Sequence, residues 1–162
     1  MDISIIIFLL GGLFLGWSLG ANDAANVFGT AVGTRMVRFK TAAIVCSIFV
    51  ILGAIISGAG TTETLGKLGA INALPGAFAA CVAAGISVYL MTKAGLPVST
   101  TQAIVGAIVG WNLYTGSATN IKVLITILGT WVLCPVIAGL IAMGFFTLTK
   151  NFILKRKIHI LR

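Results

Sequence analysis

Asn22, Asp23 and Asn26 are the first residues of this chain whose types and spacing could support chemistry. They stand within 20-GANDAANVFGTAVG-33, among alanine, glycine and other apolar residues. On a helix, residues three and four apart share a face, so these polar side chains would converge. An ionised carboxylate at bilayer depth costs at least about 2.5 kcal/mol on insertion scales and usually marks an ion or substrate path. The pattern predicts ligands for a cation or a substrate proton, although a polar contact between packed helices would also account for it.

A second polar cluster lies in 97-PVSTTQ-102, where Ser99, Thr100, Thr101 and Gln102 follow a proline. A proline followed by Ser and Thr is a helix-start signal, which places Pro97 in the first helical turn. Helix N-termini bind anions because their unpaired N–H groups and the helix dipole both favour negative charge. The cluster therefore predicts an oxyanion site. Ordinary capping, in which Ser99 only satisfies free N–H groups, is the alternative.

The segments that must position these clusters have the composition of an integral membrane protein. Hydrophobic residues make up 59% of the chain and charged residues only 9%, against about 25% charged in soluble domains. The mean hydropathy is +1.12. The net charge of +8 does not indicate nucleic-acid binding, because the basic residues stand at the ends of apolar segments, as expected for membrane flanks and lipid head groups.

Five apolar segments are predicted, and two of them have unusual lengths. They cover 3–32, 41–57, 73–92, 96–114 and 121–149. A spanning helix needs about 20 residues, so the first segment is predicted to break near Gly20. The fourth has a purely apolar run of only nine residues, 103-AIVGAIVGW-111, and is predicted to be a re-entrant half-helix that begins inside the membrane.

The predicted fold is therefore an all-α integral membrane protein with about four spanning helices plus one re-entrant half-helix hairpin. Residues 1–162 form a single membrane domain with a basic tail at 150–162, and no soluble domain is expected. Enzymatic and metal chemistry are disfavoured, because His159 lies in the tail and the cysteines lie in separate apolar segments without CxxC spacing. No resident cofactor is expected.

At the two polar motifs the sequence resembles the inorganic phosphate transporter (PiT) family of membrane permeases. That family carries the motifs G-A-N-D-x-A-N-x-x-G-T and P-[IV]-S-[ST]-T-H. Here they read 20-GANDAANVFGT-30 and 97-PVSTTQ-102, and 130-TWVLCPVIAG-139 is similar to the family's S-W-x-x-S-P segment. Gln102 stands where the family often has His. Family members usually contain two such halves in inverted orientation, whereas this chain carries each motif once and so looks like one half of an inverted-repeat transporter.

The resemblance implies secondary active transport of inorganic phosphate across the cell membrane, as symport coupled to Na⁺ or H⁺. By motif match, the substrate ligands are Ser99, Thr100, Thr101, Gln102 and Asn26. The residues for the coupling ion or substrate are Asp23 and Asn22, and a Na⁺ site is expected at Asp23 and Asn26. A sulfate or other oxyanion permease is an alternative within the family. A membrane assembly protein that uses the polar motifs only for helix packing is an alternative from another class.

The expected partners are inorganic phosphate, the lipid bilayer and a second half-length chain in inverted orientation. If the fourth segment enters and leaves on one side, the Lys and Arg residues divide almost evenly across the membrane. Because orientation follows that bias, an even division predicts a homodimer whose two copies insert in opposite directions. If the fourth segment instead crosses fully, nine Lys and Arg residues lie on one side of the membrane and two on the other. A separately encoded half then becomes the expected partner.

Overall fold

The computed structural model describes residues 3–69 and 74–154, and every regular element within those ranges is helical. Five α-helices are followed by a π-helical turn at Lys150–Leu154. The helices are α1 (Ile3–Gly33), α2 (Phe39–Leu68), α3 (Leu74–Lys93), α4 (Thr100–Thr115) and α5 (Ile121–Thr149). In the described residues, α1, α2, α3 and α5 are long and apolar enough to cross a membrane, whereas α4 is not among them. The predicted all-α membrane fold is confirmed.

The first helix is continuous, so the predicted break near Gly20 is wrong. α1 runs for 31 residues through both Gly20 and the Asn22–Asp23 pair. One glycine inside a helix costs only about 1 kcal/mol relative to alanine. The neighbouring turns are rich in alanine and leucine and pack against α3, which offsets that cost. A helix of this length can tilt or extend beyond the hydrocarbon layer.

The second helix is also longer than predicted. It continues past Ser57 to Leu68, so most of the expected linker 58–72 is helical. Threonine hydroxyls in this stretch bond back to carbonyl oxygens one turn earlier, as Thr62 does to Gly58, and Glu63 pairs with Lys67 at the i, i+4 spacing. These local interactions let polar residues continue the helix.

The chain divides into two compact units, Met1–Asn120 and Ile121–Arg162. The second unit contains α5, which has no buried residues of its own and carries Pro135 in its interior. Its bounds agree with the predicted segment 121–149. The part of the basic tail at 155–162 lies outside the described residues.

Within the first unit, α1 and α3 pack side by side and run in the same direction. Gly11 lies against Phe78, and Gly85 lies against Phe14. Further along, the rings of Trp17 and Tyr89 pack at a tilt of 35°, with centroids 5.6 Å apart. A Cβ added at Gly85 would lie 2.7 Å from the Phe14 ring, so the absence of a side chain permits this close approach. Residue numbers rise together along both helices, which makes the pair parallel.

α4 turns back along α3 to form a helical hairpin. The turn ends α3 with Gly95 in the left-handed conformation at φ 72°, which glycine adopts without strain. Pro97 lies before the helix rather than in its first turn, because Ser99 is the N-cap residue and α4 begins at Thr100. The end of α4 returns to the start of α3, where Trp111 lies against Gly76. It also reaches the end of α2, where Asn120 N–H donates to the Leu68 carbonyl at 2.9 Å.

Candidate functional site

The two polar motifs, separated by more than seventy residues in the sequence, meet where the hairpin turn touches the middle of α1. Asn22 Nδ2 donates to Thr92 Oγ1 at 2.8 Å, and Asn22 Oδ1 accepts from the Val98 N–H at 3.4 Å. Thr100 Oγ1 donates to Asp23 Oδ1 at 3.3 Å. The end of α3, the turn and the start of α4 are thus all tied to one pair of residues on α1.

Asn22 is the centre of this network and is only 4% exposed. Besides its bonds to Thr92 and Val98, its Oδ1 accepts from Asn26 Nδ2 at 3.1 Å, one helical turn further along α1. Thr92 in turn donates its hydroxyl to the Val88 carbonyl at 2.8 Å, so its orientation is fixed. Both ends of the Asn22 amide are therefore occupied by protein groups, and this geometry suits a residue that positions its neighbours.

Asp23 is half-buried and forms no ion pair with a basic side chain of the described residues. Within 3–69 and 74–154, the one salt bridge joins Glu63 and Lys67. The Asp23 carboxylate accepts its hydrogen bond from the Thr100 hydroxyl. A carboxylate held by one hydroxyl keeps oxygen lone pairs that can bind a cation. Asn26 lies three residues on, on the same face and exposed, and its carboxamide oxygen takes no part in the bond to Asn22.

The start of α4 supplies hydrogen-bond donors. Ser99 Oγ accepts from the Gln102 N–H at 3.3 Å, so the capping interaction is present. Capping uses a lone pair of the Ser99 hydroxyl and leaves its proton free to donate. The N–H groups of Thr100 and Thr101 belong to the first helical turn, which has no intrahelical acceptor for them. Because the helix dipole is positive at this end, these donors favour an anion.

The site has a buried base and an open rim. Asn22 and Thr100 are buried at 4% and 5% exposure, respectively. The rim consists of the exposed residues Asn26, Ser99, Thr101 and Gln102. Hydrogen-bonding groups left open at hydrocarbon depth must face protein or a water-filled cavity rather than lipid.

Two residues of this region are not predicted from the sequence. In the sequence, Thr92 is only the last residue of the apolar segment 73–92, and no sequence signal distinguishes it from other helical threonines. Ser18 is 1% exposed, and its Oγ has no hydrogen-bond partner in the described part of the chain. It precedes Asn22 by four residues, as Asn22 precedes Asn26, so the i, i+4, i+8 spacing on one face of α1 could have revealed it.

Comparisons with known proteins agree with the motifs. The Phosphate transporter family pattern matches residues 19–161. A provisionally named phosphate permease of Thermococcus kodakarensis is 35% identical over 167 residues, which cover 97% of this chain and 41% of the permease. A sodium-dependent phosphate transporter of Plasmodium falciparum is 34% identical over 156 residues, covering 89% of this chain and 23% of its own length.

A solved structure has the same fold. It is described as the sodium-dependent phosphate transporter, and it matches this chain with a TM-score of 0.83 and 34% identity over 97% of the chain. The match covers 41% of that transporter, so this chain spans about two fifths of its length, as it does for the Thermococcus permease. With its apolar helices and a family match over most of its length, this multi-pass membrane protein belongs to the phosphate transporter family, a family of carriers and not of enzymes.

Proposed function

We propose that this chain forms one half of a cation-coupled transporter of inorganic phosphate in the cell membrane. The observation that carries the proposal is the contact between Asp23 on α1 and Thr100 at the start of α4. It brings a carboxylate that forms no ion pair within the described residues next to a helix N-terminus that favours anions. The names of the relatives support phosphate as the substrate.

In this proposal the anion lies at the open start of α4. The N–H groups of Thr100 and Thr101 and the hydroxyls of Ser99 and Thr101 donate to its oxygens. Asn26 and Gln102 stand at the same rim and add carboxamide donors, since the Asn22 amide is already occupied. Gln102 supplies hydrogen bonds but no titrating group at this position.

The coupling cation follows from the charge of Asp23. Two unit charges of the same sign about 5 Å apart repel by roughly 3 kcal/mol at an effective permittivity near 20. A phosphate ion beside ionised Asp23 therefore needs a compensating positive charge close to the carboxylate. Carboxylate and carboxamide oxygens of Asp23 and Asn26 are suitable hard ligands for Na⁺, and two similar transporters are named sodium-dependent. Protonation of Asp23 would serve the same purpose in H⁺-coupled transport.

The open rim supports a second half as the partner. Asn26, Thr101 and Gln102 are exposed. If these groups served only for helix packing, they would be buried and paired with one another or with neighbouring polar groups. The similar solved transporter is more than twice as long as this chain, so it has further chain available to cover such a surface. Broken or re-entrant helices of inverted halves commonly meet at a shared midplane site.

Phosphate is expected to be preferred over sulfate. Near neutral pH phosphate retains a proton and can donate a hydrogen bond to the carboxylate of Asp23, whereas sulfate has no proton to donate. Uptake of labelled phosphate into proteoliposomes, measured with increasing unlabelled sulfate or phosphate, checks this. Sulfate should compete at least about tenfold less well, which corresponds to roughly 1.4 kcal/mol. Equal competition by the two anions would favour the general oxyanion permease.

Removing rim hydroxyls is expected to weaken phosphate binding. Ser99→Ala and Thr101→Ala each remove a donor to the anion, at a cost of about 1–3 kcal/mol, so the apparent KM should rise by roughly five- to a hundredfold. Thr101→Ser keeps the hydroxyl and should remain close to wild type. Ser47→Ala is the matched control, because the Ser47 hydroxyl bonds back to the Ala43 carbonyl on α2. If both alanine variants keep the wild-type KM, Ser99 serves only as a helix cap.

A further inference from the structure

Three basic side chains stand close together where α1 turns into α2. Arg35, Arg38 and Lys40 lie within this basic turn, residues 34–40, and all three are exposed. None of them forms an ion pair within the described part of the chain. Because α1 and α2 both have the length and hydropathy of membrane spans, the turn that joins them lies at a membrane surface, at the level of the lipid head groups.

The acidic residues of the described ranges are too far away to neutralise the basic turn. They are Asp23, which lies ten residues before the end of α1, and Glu63, which pairs with Lys67 near the end of α2. Ten helical residues span about 15 Å, and the 23 residues from Lys40 to Glu63 span about 34 Å. Both lengths exceed the Debye length of about 8 Å at physiological ionic strength. The counter-charge for the turn must therefore come from a bound anion.

The backbone of the turn holds Arg35 in a conformation that favours glycine. Its φ is 60°, in the left-handed region. The Arg35 N–H donates to the Val32 carbonyl at 3.0 Å, and the Val37 N–H donates to the Ala31 carbonyl at 3.1 Å, so the turn is fixed to the end of α1. A side chain at this φ costs free energy that glycine avoids. An arginine at such a position indicates that its guanidinium group has a role beyond forming the turn.

The other two basic residues stand at the positive end of the α2 dipole. Arg38 is the N-cap residue, but its side chain makes no capping hydrogen bond, and the first turn of α2 contains Lys40 and no acidic residue. Cations are unfavourable at a helix N-terminus, where anions are favoured. This placement is therefore unfavourable for the chain alone, and an anion in contact with both side chains would stabilise it.

Two exposed apolar side chains favour a lipid over a free anion as the ligand. Met36 and Phe39 alternate with the basic residues in the sequence and are 81% and 73% exposed. At the membrane surface such side chains can enter the boundary of the acyl chains while neighbouring cations stay among the phosphates. A free phosphate ion would neutralise the charges but would leave both apolar side chains uncovered.

We propose that the basic turn binds the head group of an anionic phospholipid. The guanidinium groups of Arg35 and Arg38 donate to its phosphate oxygens, for which their planar geometry is suited, and Lys40 adds a third positive charge. Met36 and Phe39 contact the acyl chains. The site is separate from Asp23 and the start of α4, so it does not depend on the proposed transport.

A tryptophan placed in the basic turn tests this site through quenching by brominated lipids. The full chain with Met36→Trp is reconstituted in mixed bilayers of phosphatidylglycerol and phosphatidylcholine, with bromine on the acyl chains of one lipid or the other. The same measurement on the unsubstituted chain gives the contribution of its own tryptophans. Each basic residue near an anionic lipid contributes about fivefold, so phosphatidylglycerol should be preferred at position 36 by at least about tenfold. Equal quenching by the two lipids would overturn the proposal.

Two matched measurements identify the charges and the anion. Changing all three basic residues of the turn to glutamine should remove the preference. The control removes the same charge from the tail, as Lys155→Gln, Arg156→Gln and Lys157→Gln, and should keep the preference within about twofold, since each charge near the lipid is worth about fivefold. An equal loss in both triple variants would contradict a site at the turn. Inorganic phosphate should reduce the preference no more than chloride at matched ionic strength, and selective displacement by phosphate would overturn the assignment to lipid.

Arg35→Gly separates lipid binding from the stability of the turn. Glycine adopts a φ of 60° without strain, so the unfolding temperature of the chain in a zwitterionic detergent should rise. The preference for phosphatidylglycerol at position 36 should fall about fivefold, because one of the three charges is lost. A preference that stays unchanged in this variant would show that Arg35 is not a ligand of the head group and would contradict the proposal.

Discussion

Replacing Asp23 with asparagine is expected to abolish cation-driven phosphate uptake while the protein remains in the membrane. The substitution keeps the size of the side chain and an oxygen that can accept from Thr100, but it removes the charge that holds the cation. Removing one partner of a buried charge pair costs about 3–5 kcal/mol, which lowers cation affinity more than a hundredfold. Uptake of labelled phosphate into proteoliposomes should fall to the rate of protein-free vesicles.

Glu63→Gln is the matched control for this experiment. It removes another of the chain's three acidic residues, but Glu63 pairs with Lys67 far from the hairpin turn. Uptake by this variant should equal that of the wild type. The assignment of Asp23 is wrong if Asp23→Asn transports phosphate at the wild-type rate with an unchanged dependence on Na⁺.

Replacing Asn22 with alanine is expected to destabilise the first unit and to reduce uptake together. The substitution leaves the part-buried Val98 N–H without its acceptor and removes the donor to Thr92 Oγ1, which keeps its own bond to the Val88 carbonyl. The loss of these bonds is expected to cost about 1–3 kcal/mol. The hairpin turn would lose its main attachment to α1, and the start of α4 would move relative to Asp23. Thermal unfolding of the detergent-solubilised chain measures the first effect, and the KM for phosphate measures the second.

A double-mutant cycle with Thr92→Val separates positioning from general damage. Both single variants break the same hydrogen bond, so their combined cost should be smaller than the sum by about 0.5–3 kcal/mol. Strict additivity of the two unfolding effects would show that Asn22 and Thr92 are not coupled, and would contradict a positioning role for Asn22.

Much of the candidate site was predictable from the sequence because its parts are local patterns. The spacing of Asn22, Asp23 and Asn26 defines one helix face, and the S-T-T-Q run after Pro97 marks a helix start. The cap at Ser99 forms as such a run predicts. The all-α membrane fold follows from composition and from the lengths of the apolar segments, which need no knowledge of tertiary contacts.

The rest depended on contacts between distant residues. Continuity of α1 through Gly20 is stabilised by packing on α3, which a local reading of glycine and polar residues does not include. The hairpin is defined by contacts such as Trp111 against Gly76, and no local pattern reports them. Thr92 acts through Asn22, seventy residues earlier, so its role appears only when the two helices are seen together.

Accumulation of labelled phosphate in proteoliposomes under an inward Na⁺ gradient is the decisive test of the proposed transport mechanism. The purified chain is reconstituted from detergent in mixed orientation, and internal phosphate is followed with and without the gradient. Cation-coupled transport through the Asp23 and α4 site predicts that internal phosphate rises above the external concentration while the gradient lasts, and only then. Phosphate that enters no faster than in protein-free vesicles, with the gradient or without it, would contradict that mechanism.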